Sequence, residues 1–98
     1  GKFDPDGRVT RQDAAVMAAR AARLCGIDTA RGEQEIRDTL SQFGDYRSVS
    51  GYAAESLAFC YDSGIMYDSS LDIQPGNSAT RADIAQMLYG LLGIADLL

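Results

Sequence analysis

One phrase occurs twice in this chain, seventy residues apart. Phe3-Asp4-Pro5 precedes Thr10-Arg11-Gln12-Asp13, and Ile73-Gln74-Pro75 precedes Thr80-Arg81-Ala82-Asp83. Each copy runs into an Ala/Met/Leu-rich stretch that ends in Leu-x-Gly-Ile, at Leu24 to Ile27 and at Leu91 to Ile94. Self-similarity of this kind marks a repeat architecture. Each unit is too small to bury its own apolar face, so it stacks on a neighbour. The chain therefore reads as a tandem module and not as a scaffold for one catalytic centre.

Bulk properties narrow the function classes. At 98 residues and 46% hydrophobic content, the chain makes one small domain or a fragment of one. It opens inside a motif, so further sequence is expected upstream, any export signal included. A net charge of -5 without a basic run argues against nucleic acid and anionic membranes as partners. No apolar stretch is long enough for membrane insertion. Histidine is absent, which removes the commonest general base and metal ligand, and no carboxylate pair sits in a catalytic context. An enzyme is thus not expected, nor a cofactor. Cys25 and Cys60 form no CxxC pair, which excludes zinc; both fall in apolar helical stretches and read as buried free thiols rather than a disulfide.

Local signals give an all-α small helical bundle with long ordered loops. A first helix is predicted from Thr10 to about Leu24, with Thr10 as N-cap and Asp13 at N3. Gly26-Ile27 fits a left-handed stop with an apolar residue behind it. A second helix is predicted over Glu33 to Gln42, and a third from Ser50 as cap through Gly51 to Ser63, stopped by Gly64-Ile65. The last runs from Thr80 to about Leu92, with Ile84, Met87, Leu88 and Leu91 inward and Gly93-Ile94 as a third stop. At most a very short strand pairing is expected, between 2–4 and 72–74.

The second copy has further landmarks: Phe43-x-Asp45, Tyr52-Ala53, Gly64-Ile65, Ile73-x-Pro75 and Thr80-Arg81-Ala82-Asp83. In order and spacing it resembles an S-layer homology (SLH) repeat, whose pattern is Phe-x-Asp, an aromatic-Ala pair, Gly-Ile, Phe-x-Pro and Thr-Arg-Ala-Glu at a helix start. The resemblance divides the chain into the second half of a repeat at 1–27, a linker plus helix at 28–42, and a complete repeat at 43–98. Departures are Asp at 13 and 83, Gln12, Ile73 and Tyr52. Family modules usually hold three repeats in a pseudo-threefold bundle. One and a half repeats should therefore leave an apolar face uncovered, to be closed by an upstream repeat or by a homo-oligomer.

The resemblance implies an extracellular, bacterial cell-surface protein that binds an anionic secondary cell-wall polymer, often a pyruvylated polysaccharide. The ligand-binding candidates it carries are Arg11, Arg81, Thr10, Thr80, Asp13, Asp83 and Tyr52. Helix N-termini with an arginine at the first position suit a carboxylate or phosphate, and Tyr52 could stack on a sugar. Each has a structural alternative: the Thr and Asp residues as caps, the arginines as surface ion pairs, Tyr52 as core or rim. Two rival functions stand beside this. One is a structural or protein–protein interaction module without glycan binding. The other is a weak dockerin-like calcium module, for which Lys2 occupies a position that needs a carboxylate.

Overall fold

A computed structural model describes residues 8–67 and 72–96. Four helices follow in order: α1 (Arg11–Leu24), α2 (Glu33–Leu40), α3 (Gly51–Asp62) and α4 (Arg81–Ile94), with a 3-10 turn at Tyr46–Ser48. Among the described residues there is no sheet; a single antiparallel bridge joins Thr10 to Ser78. The all-α reading holds. The pairing expected between 2–4 and 72–74 lies partly outside the described residues. The bridge that is seen sits later in both copies.

The local chemistry of the helix ends is largely that of the sequence. Thr10 Oγ1 accepts from the Asp13 N–H at 3.2 Å, and Thr80 Oγ1 accepts from the Asp83 N–H at 3.0 Å. Asp83 Oδ2 returns a bond to the Thr80 N–H at 2.9 Å, which completes a capping box. Gly26 adopts φ +83 and the Ile27 N–H reaches the Ala22 carbonyl at 3.0 Å, a six-to-one helix stop. Gly64 stops α3 at φ +84.

Four expectations need correction. Gly93 does not stop α4. The helix runs on to Ile94, and Asp96 takes the left-handed position at φ +61. Asp96 stands seventy residues after Gly26, so both copies make helices of equal length and stop at equivalent positions, whatever residue is there. Ser50 occupies the N-cap position of α3 but makes no cap bond with its side chain. Gln12 clamps it instead, its Nε2 donating to Ser50 Oγ at 3.2 Å and its Oε1 accepting from the Ser50 N–H at 3.1 Å. Cys60 is buried as expected, and both thiols are free, but Cys25 caps α1 on the surface and is exposed. α2 also ends at Leu40, two residues early, with Ser41 as its cap.

α3 is the centre of the packing, with α1 and α2 against it and α4 against α1. Ala14, Ala15, Ala19 and Ala22 let α1 approach closely onto Ala53, Leu57 and Cys60 of α3, all of them buried. Phe43 and Ile73 anchor their loops in the core at 3% and 0% exposure. The 28–32 linker is fixed rather than loose. Arg31 pairs with Asp62 at 2.9 Å and lies 5.3 Å over the Phe59 ring, and Arg23 donates to the buried Thr29 hydroxyl.

The inward assignment of the last helix fails in part. Met87 is buried, but Ile84 and Leu88 are exposed. They face an apolar groove of about 220 Å³ between α1 and α4, lined pairwise by Ala14 and Ile84, Met17 and Met87, Ala18 and Leu88, Ala21 and Leu91. Each pair is seventy residues apart. Among the described residues this apolar groove is open.

Candidate functional site

The seven candidate residues do not converge on one site. They separate into three places, two of them at helix starts that the repeat makes equivalent.

At the start of α1 the free N–H groups are already taken. Arg11 N–H donates to the Asn77 carbonyl at 2.8 Å and Gln12 N–H to the Pro75 carbonyl at 3.0 Å. The loop of the second copy thus lies across the first helix start, in the position an anion would occupy. Asp45 braces this loop from the other side, accepting from the N–H groups of Ile73 at 2.7 Å and Gln74 at 2.8 Å. Gln74 is held there at φ +55, a left-handed conformation uncommon for a residue with a side chain. Arg11 completes the arrangement. Its Nε donates to the Ile73 carbonyl at 2.8 Å and its Nη1 lies 2.9 Å from Asp83 Oδ1, with 17% of the side chain exposed. The Thr80 N–H, and then Arg11, hold the Asp83 carboxyl below the usual carboxylate range. Burial pushes the Tyr61 phenol up, while Arg11 pulls against it.

Arg11 and Asp83 also border a cleft of about 310 Å³ with Tyr67, Gln74 and Gln86. Gln86 is anchored to the Ile65 carbonyl through its amide. The only cation among these lining residues is already paired with an acid, so the cleft is polar but close to neutral.

The start of α4 differs. Thr80 and Asp83 are occupied in the capping box, but Arg81 is exposed and makes no ion pair among the described residues. Arg8 is also exposed and without an ion pair among them. Both line one cleft of about 450 Å³ with Ser78, Ala79 and Thr80, and among the described residues no acid lines it. Two guanidinium groups without an acidic partner among the described residues share one concavity, a cluster of positive charge in an acidic chain.

Tyr52 and Asp13 form the third place. The Tyr52 hydroxyl donates to Asp13 Oδ1 at 2.6 Å, which raises the phenol pKa, and half of the residue remains exposed.

Sequence reasoning placed Thr10, Thr80 and Asp83 correctly as caps and missed Arg8, Gln12 and Asp45 as working residues. Arg8 had no motif to mark it; only its place two residues before Thr10, as Ser78 stands before Thr80, puts it beside Arg81. Among the described residues no group of three His, Cys, Asp or Glu side chains could hold a metal ion, and no helix is long and apolar enough to cross a membrane.

Residues 42–85 match the family model of the S-layer homology domain. This segment starts one residue before Phe43 and ends inside α4, so it contains the Asp45 brace, the loop at 72–79 and the Thr80-Arg81 helix start. An S-layer homology domain implies anchoring at the cell surface to the cell wall. No curated protein and no solved structure matches the chain.

Proposed function

We propose that this chain, with its S-layer homology domain at residues 42–85, is a non-catalytic module that holds an extracellular protein on the bacterial cell wall by binding an anionic secondary wall polysaccharide. The Arg8–Arg81 cleft is the binding site. One observation carries this choice: among the described residues no acid lines the concavity these two arginines share, whereas Arg11 and Arg31 are each committed to an aspartate. A carboxylate displayed on a sugar, as in a pyruvate ketal, can accept from both guanidinium groups. Charge-assisted hydrogen bonds of this sort contribute about 1.5–3 kcal/mol each. Arg11, by contrast, serves the site indirectly by fixing the loop that forms one wall. Thr10 and Asp13 belong to that framework, and Thr80 and Asp83 set the start of α4.

The test is co-sedimentation with purified wall sacculi, with and without the secondary polymer removed. Retention is expected to require the polymer, to fall about tenfold or more in Arg81→Ala and in Arg8→Ala, and to weaken as salt rises. Undiminished retention of both variants, or equal binding to stripped peptidoglycan, overturns the assignment.

A further inference from the structure

We infer that the cleft bordered by Arg11, Tyr67, Gln74, Asp83 and Gln86 is a second subsite, one that takes an uncharged pyranose unit. The class of ligand rests on the anchoring reading; the place and the neutrality of the subsite rest on the cleft itself. Its volume of about 310 Å³ lies at the lower end of the range of small-molecule sites.

Gln74 is the residue that points to a ligand. Its φ of +55 is shared among the described non-glycine residues only by Asp96, at φ +61, which ends a helix and is of a type that tolerates this conformation. Glutamine has no such tolerance, so its conformation persists because neighbouring bonds impose it. Asp45 accepts from the Gln74 N–H at 2.8 Å, and the Gln74 carbonyl accepts from the Asn77 N–H at 3.1 Å. Glycine would meet the same geometry without strain. A glutamine kept in a glycine conformation has a use for its side chain. That side chain borders the cleft on an exposed residue, and its amide makes no hydrogen bond among the described residues.

The other lining residues supply what a neutral sugar requires. Tyr67 is 59% exposed and offers an aromatic face to the C–H side of a pyranose. The Gln86 amide nitrogen is anchored on the Ile65 carbonyl, which orients the group and leaves its oxygen as an acceptor. Sugar hydroxyls both donate and accept, and side-chain amides match them in both respects. Arg11 and Asp83 lie 2.9 Å apart and neutralise each other, so a bare anion gains little here. The cleft also adjoins the same first turn of α4 as the arginine site. Ala82 and Asp83 line this cleft and Arg81 lines the other. A polysaccharide held by its carboxylate at Arg81 thus has neighbouring units within reach of Tyr67 and Gln74.

Nuclear magnetic resonance titration of the isotope-labelled chain with uncharged methyl pyranosides (of glucose, mannose and their N-acetylamino forms) tests this without any anion. Shifts are expected at Tyr67, Gln74 and the Gln86 side-chain amide, with a Kd of about 1 mM for a single ring. They should persist in an Arg8→Ala/Arg81→Ala chain, so failure of the anion site and failure of this subsite are read separately. Gln74→Gly relieves the left-handed strain, so its melting temperature should hold or rise, yet its sugar response should weaken several-fold. Absence of shifts with every pyranoside, shifts centred outside this cleft, or a Gln74→Gly chain that titrates like the parent would overturn the proposal.

Discussion

The Arg11 guanidinium lies 2.9 Å from the Asp83 carboxylate, so the arginine of one copy of the repeated phrase is paired with the acid of the other. The same side chain holds the Ile73 carbonyl. It therefore joins α1, α4 and the loop between α3 and α4 at one mostly buried point.

Replacing Arg11 with Ala should lower stability by about 2 kcal/mol, because a charged hydrogen bond is lost and the Asp83 carboxylate is left without its cation. Thermal unfolding should move down by roughly 10 °C in a chain of this size. Arg11→Lys should recover little, since one ammonium cannot reproduce the fork that reaches carbonyl and carboxylate together.

Acid should loosen the same junction. The folded-state pKa of Asp83 is depressed, chiefly by the Thr80 N–H and next by Arg11. Its stabilising contribution is therefore complete above the unfolded carboxylate pKa of about 3.9 and is lost as pH falls through the lower folded value. Melting temperature followed downward from neutral pH should drop in this acid range, and Asp83→Asn should flatten that limb while reducing stability at pH 7.

Gly90 lies mid-helix, where alanine normally adds about 1 kcal/mol. Here the sign should reverse. An added Cβ would stand 2.9 Å from Ile65 Cα and 3.1 Å from the Gly64 carbonyl, both backbone atoms. Gly90→Ala should destabilise by about 1–3 kcal/mol in a denaturant titration, as overpacking does.

Gln12→Ala removes the two bonds to Ser50. The start of α3 then loses both side-chain bonds to its N-cap residue, and stability should fall by about 1 kcal/mol. Hydrogen exchange should rise in the first turn of α3 while the ends of α2 stay protected. Uniform protection throughout would show that the clamp is incidental.

Tyr52 offers a separate check on sugar contact. If its half-exposed ring stacks on the polymer, Tyr52→Phe should keep wall retention although the bond to Asp13 is gone, while Tyr52→Ala should lose several-fold. Equal retention by both variants would assign the residue to the fold alone.

Features governed by neighbouring residues were readable in the sequence. Thr10 and Thr80 announce their helices through a cap three residues long, and Gly26 and Gly64 announce their stops through backbone freedom. Gly93 misled because it stands three residues short of the position equivalent to Gly26; α4 runs on to Ile94, and Asp96 takes the left-handed turn. The roles of Arg11, Gln12 and Asp45 depend on partners 28 to 72 positions away. No pattern of period 3.6 encodes such pairings. The two arginines of the repeated phrase look alike in sequence, yet one is enclosed by a loop and the other is open. That difference arises from which copy lies ahead of which in space.

The seating of the Pro75–Asn77 carbonyls on the start of α1 also bears on how the molecule is made. α1 is synthesised before the second copy, yet its first two amides receive their acceptors only when Pro75 and Asn77 emerge. Closing so long a loop carries an entropic cost that local contacts cannot offset. A nascent chain that stops short of residue 77 keeps an open helix end, so the first copy is expected to be protease-sensitive until the second is complete. Its maturation is thus timed by synthesis of the second copy.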